Sequence, residues 1–196
     1  MMVDERVREF LEKVASSSPT PGGGSVAALA GAIACSLSEM VCNLTIGKKK
    51  YADVEQEMKK LLQQCSELRE KFVQFIDEDA RAFDEVMMAF REKRGIQEAL
   101  KRAAETPLET ASTCVAIAEK TREIAAKGNK NSITDAGVAA LMAKTAFYSA
   151  LLNVRINLKE IGDTAYIRRI DEQIKEMEGQ IERLVAETMK IVEEWI

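Results

Sequence analysis

The sequence contains no histidine, and that absence removes a large part of enzyme chemistry. Without imidazole there is no Ser-His or Cys-His nucleophile system, and the common zinc patterns lose half of their ligands. The four cysteines, Cys35, Cys42, Cys65 and Cys114, never form a C-x-x-C pair, so they read as small core residues and no metal site is expected. Proton transfer must fall to Asp, Glu, Lys, Tyr or a cysteine. Proline and aromatic residues are also scarce, three prolines and 5% aromatics against 46% hydrophobic and 31% charged residues, which is a helical composition. The net charge of −4 offers no general attraction to nucleic acid or to an anionic membrane. Residues 1–15 mix acids and bases with apolar residues, so no signal peptide is predicted and a cytoplasmic location is expected. The length of 196 residues suits a single domain, 1–196.

Charge itself is missing between Val14 and Ser38, and this gap holds the most informative stretch of the chain. Pro19-Thr20-Pro21-Gly22-Gly23-Gly24-Ser25 runs into the small-residue segment Val26 to Cys35, predicting a helix of about 20 residues that starts near Ser25. A glycine-rich turn feeding a helix start leaves N–H groups unpaired at the positive end of the helix dipole, a receptor for carboxylate, phosphate or a polarised carbonyl. The alternative is a tight interhelical loop capped by Ser25. Gly22, Gly24 and Ala27 match G-x-G-x-x-A, but Ser16-Ser17-Ser18-Pro19 precedes them instead of an apolar strand, which excludes a dinucleotide fold. Small residues at Ala27, Gly31 and Cys35 permit close approach of another backbone, and the helix, apolar nearly all round, belongs at the centre of a bundle. A membrane span is the competing idea, but Ala, Gly and Ser dominate the run, and Glu39 and Asn43 interrupt it.

The rest of the chain reads as further helices. Val3, Val7, Phe10, Leu11 and Val14 form one stripe of a short amphipathic helix ending at Ser16. Gly47-Lys48-Lys49-Lys50-Tyr51 is the densest positive spot, either a solvated helix terminus or a docking site for an anion. Helical spacing then persists from Asp53 to Lys93 without a breaker, with Asp77, Glu78, Asp79 and Asp84 crowding an apolar stripe. An acid held beside Phe83 has the raised pKa a general acid requires; the alternative is an exposed acidic turn. Gly95 ends that helix, Ile96 to Glu105 form a short one, and Thr106-Pro107-Leu108-Glu109 reads as a capping box that starts another, running to Lys127. After the polar loop Asn129 to Asp135, Ser132 and Asp135 restart a helix that carries Ala139, Ala146, Ala150, Asn153 and Asn157 on one face. The two asparagines either cap neighbouring backbone or read polar groups of a ligand. Beyond Gly162, Ile167, Ile170, Ile174, Met177, Ile181, Leu184, Ile191 and Trp195 form a heptad seam suited to the 53–93 helix or to a second chain. The predicted fold is all-α, an up-and-down bundle of long helices.

Taken together, the glycine loop, Gly47 to Tyr51, Asp79-Ala80-Arg81-Ala82-Phe83, and Asn129 to Asp135 with Asn153-Val154-Arg155-Ile156-Asn157 resemble the cyclodeaminase domain of formiminotransferase-cyclodeaminase and its free-standing bacterial relatives, which include methenyltetrahydrofolate cyclohydrolases. The resemblance implies a helical, homodimeric, folate-handling enzyme of one-carbon metabolism that needs no metal or organic cofactor. In the cyclodeaminase reaction N10 of 5-formimidoyltetrahydrofolate attacks the formimidoyl carbon and ammonia leaves, giving 5,10-methenyltetrahydrofolate. In the cyclohydrolase reaction water adds to the methenyl carbon and the ring opens. Asp79, Asp135 and Lys48 are the catalytic candidates. Gly22, Gly23, Gly24 and Ser25 would present backbone donors, Lys48, Lys49 and Tyr51 would hold the glutamate tail, and Asn131, Asn153 and Asn157 would bind the pterin or orient the acid. The reading of another class is a non-catalytic helical module whose exposed seam binds a partner helix.

Overall fold

The chain runs through six α-helices, and no strand occurs among the described residues of this computed structural model, which describes the backbone of residues 1–196 and every side chain except that of Val3. After a 3-10 turn at Met2–Asp4 come α1 (Val7–Val14), α2 (Gly23–Thr45), a second 3-10 segment (Lys49–Val54), α3 (Glu55–Glu92), α4 (Ile96–Lys127), a third turn (Lys130–Ser132), α5 (Ile133–Leu158) and α6 (Thr164–Glu193). Because Glu55–Glu92 contains neither glycine nor proline, α3 continues for 38 residues. It stops where Lys93 turns left-handed at φ 52°, and Gly95, at φ 65°, belongs to the cap of α4. The expectation that Gly95 ends the preceding helix is corrected by two residues.

Helix α2 lies against α3, α4 and α5, and α4 lies between α3, α5 and α6. The small residues of α2 let side chains, more than backbones, come close: a Cβ at Gly31 would sit 2.4 Å from the Phe72 ring. All four cysteines are buried, and burial pushes the Cys42 and Cys65 thiols up to about 12, so they are inert packing groups as the spacing predicts. Helices α2 and α5 are long and apolar enough to cross a membrane by length and composition, yet about half of each is sealed against the other helices, 56% and 50% of the relevant windows.

Three expectations are corrected. No break separates 96–105 from 106–127: Pro107 sits inside the continuous helix α4, and no capping bond from Thr106 forms, because a buried tertiary environment tolerates the missing N–H. The seam of α6 packs on α4 and α5, the helices nearest to it, and not along α3. In α1 only Phe10 of the predicted stripe is buried; Val7 and Leu11 are exposed, and the Val3 side chain lies outside the described residues.

Candidate active site

Helix α2 begins without a side-chain cap of its own. Its N-cap is Gly22, and Ser25, predicted to cap it, is already the third helical residue. The cap comes from α3: Asp79 Oδ2 accepts the Ser25 N–H at 2.9 Å and lies 3.1 Å from Ser25 Oγ. The carboxyl group fills the space over Gly24, where an added Cβ would meet Asp79 Oδ1 at 1.9 Å; only glycine lets the acid approach. Ser25 Oγ also reaches the Ile76 carbonyl at 2.9 Å. One hydroxyl proton cannot serve two acceptors, so when it goes to Ile76 the contact with Asp79 is a hydrogen bond only if Asp79 carries a proton. Burial raises the Asp79 pKa above the ordinary value, opposed by the hydroxyl and N–H of Ser25. Among the described residues the N–H groups of Gly22, Gly23 and Gly24 have no hydrogen-bond partner, as the open-turn reading requires.

A cavity of about 330 Å³ opens beside this turn, lined by Gly22, Gly23, Gly24, Asp79, Phe83 and Asn153 together with Asn157, Thr20 and Ala103. The two asparagines are half-buried on one face of α5 and spend their amide N–H groups on backbone: Asn153 on the Ser149 carbonyl at 2.9 Å, Asn157 on the carbonyls of Ala103 at 2.9 Å and Asn153 at 3.0 Å. Ala103 is four residues before Pro107, which has no N–H to donate, so the proline leaves that carbonyl open and Asn157 takes it. Asn157 has spent both N–H groups and keeps only its Oδ1 as an acceptor, whereas Asn153 keeps its Oδ1 and one N–H. The cavity lining thus brings together free backbone donors, carboxamide acceptors and a protonatable acid. Of the two alternatives for the asparagines, the backbone-capping one is seen in these bonds.

The remaining candidates lie elsewhere. Lys48, Lys49 and Tyr51 follow the C-terminus of α2, about 33 Å from its glycine turn by the helical rise. There Tyr51 Oη accepts the Lys130 N–H at 3.1 Å and lies 3.4 Å from Asn129 Oδ1. Asn129 holds the turn together by donating to Thr45 Oγ1 and to the Leu44 carbonyl and caps it by accepting the Asn131 N–H, and Ser132 is the N-cap residue of α5, as expected, though its side chain makes no capping bond. Asp135, in the first turn of α5, is about 27 Å along that helix from Asn153. Lys48, Lys49 and Asn131 are exposed. The chain therefore gathers Gly22, Gly23, Gly24, Ser25, Asp79, Asn153 and Asn157 at one pole, and Lys48, Lys49, Tyr51, Asn131 and Asp135 at the other.

Residues 6–176 match the formiminotransferase-cyclodeaminase family model. The chain belongs to that family. Among its formiminotransferase-cyclodeaminase relatives, a methenyltetrahydrofolate cyclohydrolase of Methylorubrum extorquens is 42% identical across 98% of this chain and 97% of its own. The formimidoyltransferase-cyclodeaminase of Sus scrofa is 30% identical across 90% of this chain, which spans only 35% of that longer protein. A crystal structure of formiminotetrahydrofolate cyclodeaminase from Thermotoga maritima superposes with a TM-score of 0.95 at 38% identity, covering 98% of both chains.

Within this formiminotransferase-cyclodeaminase fold, sequence reasoning missed Pro107 as a determinant of the pocket, because a proline after threonine and before leucine and glutamate imitates a helix start. It also missed Thr20, Ala103 and Ile156 as lining residues, which carry no chemical signature of their own.

Proposed function

We propose that the chain is a folate one-carbon enzyme acting on the carbon held between N5 and N10 of tetrahydrofolate, first as a methenyltetrahydrofolate cyclohydrolase. The observation that carries the reading is Asp79: one acid, with its pKa raised by burial, on the wall of a cavity that also offers free backbone N–H groups and two carboxamide acceptors. The near-full-length likeness to a named cyclohydrolase supports the direction of the reaction. Water adds to the methenyl carbon as Asp79 takes one of its protons. The C–N5 bond then breaks, Asp79 returns that proton to N5, the hydroxyl proton leaves to solvent, and 10-formyltetrahydrofolate remains. A carboxyl group whose pKa lies above the ordinary range can serve in both roles. The Asn153 and Asn157 oxygens would accept pterin N–H groups, and the N–H groups of Gly23 and Gly24 would meet a carbonyl or the oxygen that develops on the tetrahedral carbon.

The second reading is formimidoyltetrahydrofolate cyclodeaminase, favoured by the close structural likeness to a protein of that name. Here N10 attacks the formimidoyl carbon and its proton passes to the imine nitrogen, and Asp79, in its neutral form, gives the resulting amine the second proton with which it departs as ammonia. Neither reaction calls for a metal or an organic cofactor. A non-catalytic helical module would have no use for a half-buried acid in an open cavity.

An absorbance assay of the methenyl chromophore separates these readings. Loss of absorbance from 5,10-methenyltetrahydrofolate supports the first; its appearance from 5-formimidoyltetrahydrofolate with release of ammonia supports the second. Inertness toward both substrates rejects the enzymatic reading.

A further inference from the structure

The two carboxyl oxygens of Asp79 have different surroundings. Oδ2 is held from α2, by the Ser25 N–H at 2.9 Å and Ser25 Oγ at 3.1 Å. Oδ1 has no hydrogen-bond partner among the described residues, yet it is not sealed in the interior. It lies over Gly24, which lines the cavity with Asp79. Among the described residues Asp79 is the one charged side chain in the cavity lining; α2, α4 and α5 contribute none, and no ionised neighbour shifts its pKa. Only Ser25 therefore tells one oxygen from the other. Its side chain is fully buried, so the hydroxyl has no solvent to turn to and must choose between Asp79 Oδ2 and the Ile76 carbonyl at 2.9 Å. Inside the continuous helix α3 that carbonyl already accepts the N–H four residues on, so it stays satisfied when the hydroxyl turns away.

We propose that Asp79 exchanges its proton through Oδ1 alone, and that Ser25 is the positioning residue that keeps the proton there by engaging Oδ2 with both its N–H and its hydroxyl. The N–H is fixed by the backbone and always points at Oδ2, which favours Oδ2 as the unprotonated oxygen of the neutral acid. The hydroxyl then joins it. If the hydroxyl turns instead to Ile76, Oδ2 is free to take the proton and to donate it to Ser25 Oγ, where no ligand reaches it. Ionisation removes that choice, because a hydrogen bond to a carboxylate is roughly twice as strong as one to a neutral carbonyl. Once Asp79 is ionised, Oδ2 accepts two bonds and only Oδ1 offers free lone pairs to the cavity. Both proton steps of the proposed hydrolysis then run through Oδ1. Its O–H bond forms as an O–H bond of the attacking water breaks, and it breaks as the N5–H bond forms; Ser25 turns in neither step, so the acid works without local reorganisation. This deepens the assignment of Asp79 made above and rests on it. The Ser25 N–H, spent on Asp79, also leaves the set of donors that the glycine turn offers a ligand.

Two readouts test this. Infrared difference spectra of the substrate-free protein, taken on either side of the Asp79 titration and referenced to Asp79→Asn, isolate the neutral carboxyl group. Its carbonyl stretch should lie at the low frequency of an oxygen that accepts two hydrogen bonds, and Ser25→Ala, which leaves only the backbone bond, should move it upward. Ser25→Cys, close in size but a weak donor, should fall between the two. A wild-type band at the frequency of a free carbonyl, or one that Ser25→Ala leaves in place, overturns the proposal. In turnover, Ser25→Ala should lower kcat about 10- to 100-fold, the worth of a hydrogen bond to a charged group, with the Michaelis constant unchanged, and Ser25→Cys should recover part of the loss. A loss confined to the Michaelis constant, or equal losses in both variants with the pH limb of kcat unmoved, would make Ser25 a helix cap only and overturns the proposal as well. Should Ser25→Ala not fold, Ser25→Cys carries both readouts. A wild type inert toward both folate substrates whose band still shifts as expected upholds the proton's place and counts against the folate reading alone.

Discussion

Asp79 holds two roles that pull in opposite directions. As the cap of α2 it is favoured as a carboxylate by the Ser25 N–H and by the helix dipole; as a half-buried group it is favoured as the neutral acid, and burial is the larger effect. Removal of its charge by Asp79→Asn should cut turnover by roughly 100-fold or more while the amide oxygen still accepts the Ser25 N–H. The same substitution should stabilise the fold near neutral pH. From 3.8, the ordinary aspartate value, up to its raised folded value, the native chain holds a proton that the unfolded chain has released, so wild-type stability falls as pH rises through that window. Denaturant unfolding from pH 3 to pH 8 checks this: the Asp79→Asn curve should lack the fall, and parallel curves would show that the carboxyl is not perturbed. Ser25→Ala removes the hydroxyl that helps hold the carboxylate form, so the pH limb of turnover assigned to Asp79 should move upward. Glycine positions separate in the same way. Gly24→Ala places a Cβ within 1.9 Å of the acid and should abolish turnover by displacing it, whereas at Gly23 a Cβ meets only Asn153 at 3.5 Å, so Gly23→Val should fold normally, fill the cavity and lose folate binding.

At the scale of helices, the pocket depends on an irregularity that local patterns conceal. Pro107 in mid-helix leaves the Ala103 carbonyl without its usual donor, and that carbonyl fixes Asn157. Pro107→Ala restores the N–H and sets it in competition with Asn157. Michaelis constants should rise about 10-fold, the worth of roughly one hydrogen bond to a buried carbonyl, with circular dichroism unchanged. Pro107→Ala combined with Asn157→Ala should be no worse than Asn157→Ala alone, since the two act through one contact; additive losses would separate them. This explains what the sequence could and could not reveal. Long helices were legible because α3 carries uninterrupted apolar spacing and the α6 seam is broken only at Thr188, and the glycine turn because few residue types fit such a path. The continuity of α4 was not, since Thr106-Pro107-Leu108-Glu109 satisfies every local rule for a helix start and only tertiary contact with α5 overrides it.

For the molecule as a whole, acid and base stand at opposite poles of α2, and this separation was invisible in a linear motif list. Lys48, Lys49, Tyr51, Asn131 and Asp135 belong to the same resemblance as Asp79 and Asn153, yet helical rise alone keeps them about 30 Å apart in the chain. That distance exceeds a Debye length at physiological salt, so from there the lysines would do nothing for a ligand confined to the cavity. Lysines that steady the tail, as the resemblance implies, must touch it directly. The Michaelis constant for a polyglutamylated substrate should then rise steeply with salt, while that for the corresponding folate lacking the glutamate tail should stay nearly flat. Lys48→Glu/Lys49→Glu should flatten the first response and leave the turnover number at saturation intact. Equal salt responses for the two substrates would mean that the basic pole serves only as a solvated helix terminus, held in place by Tyr51 and Asn129 for structural reasons.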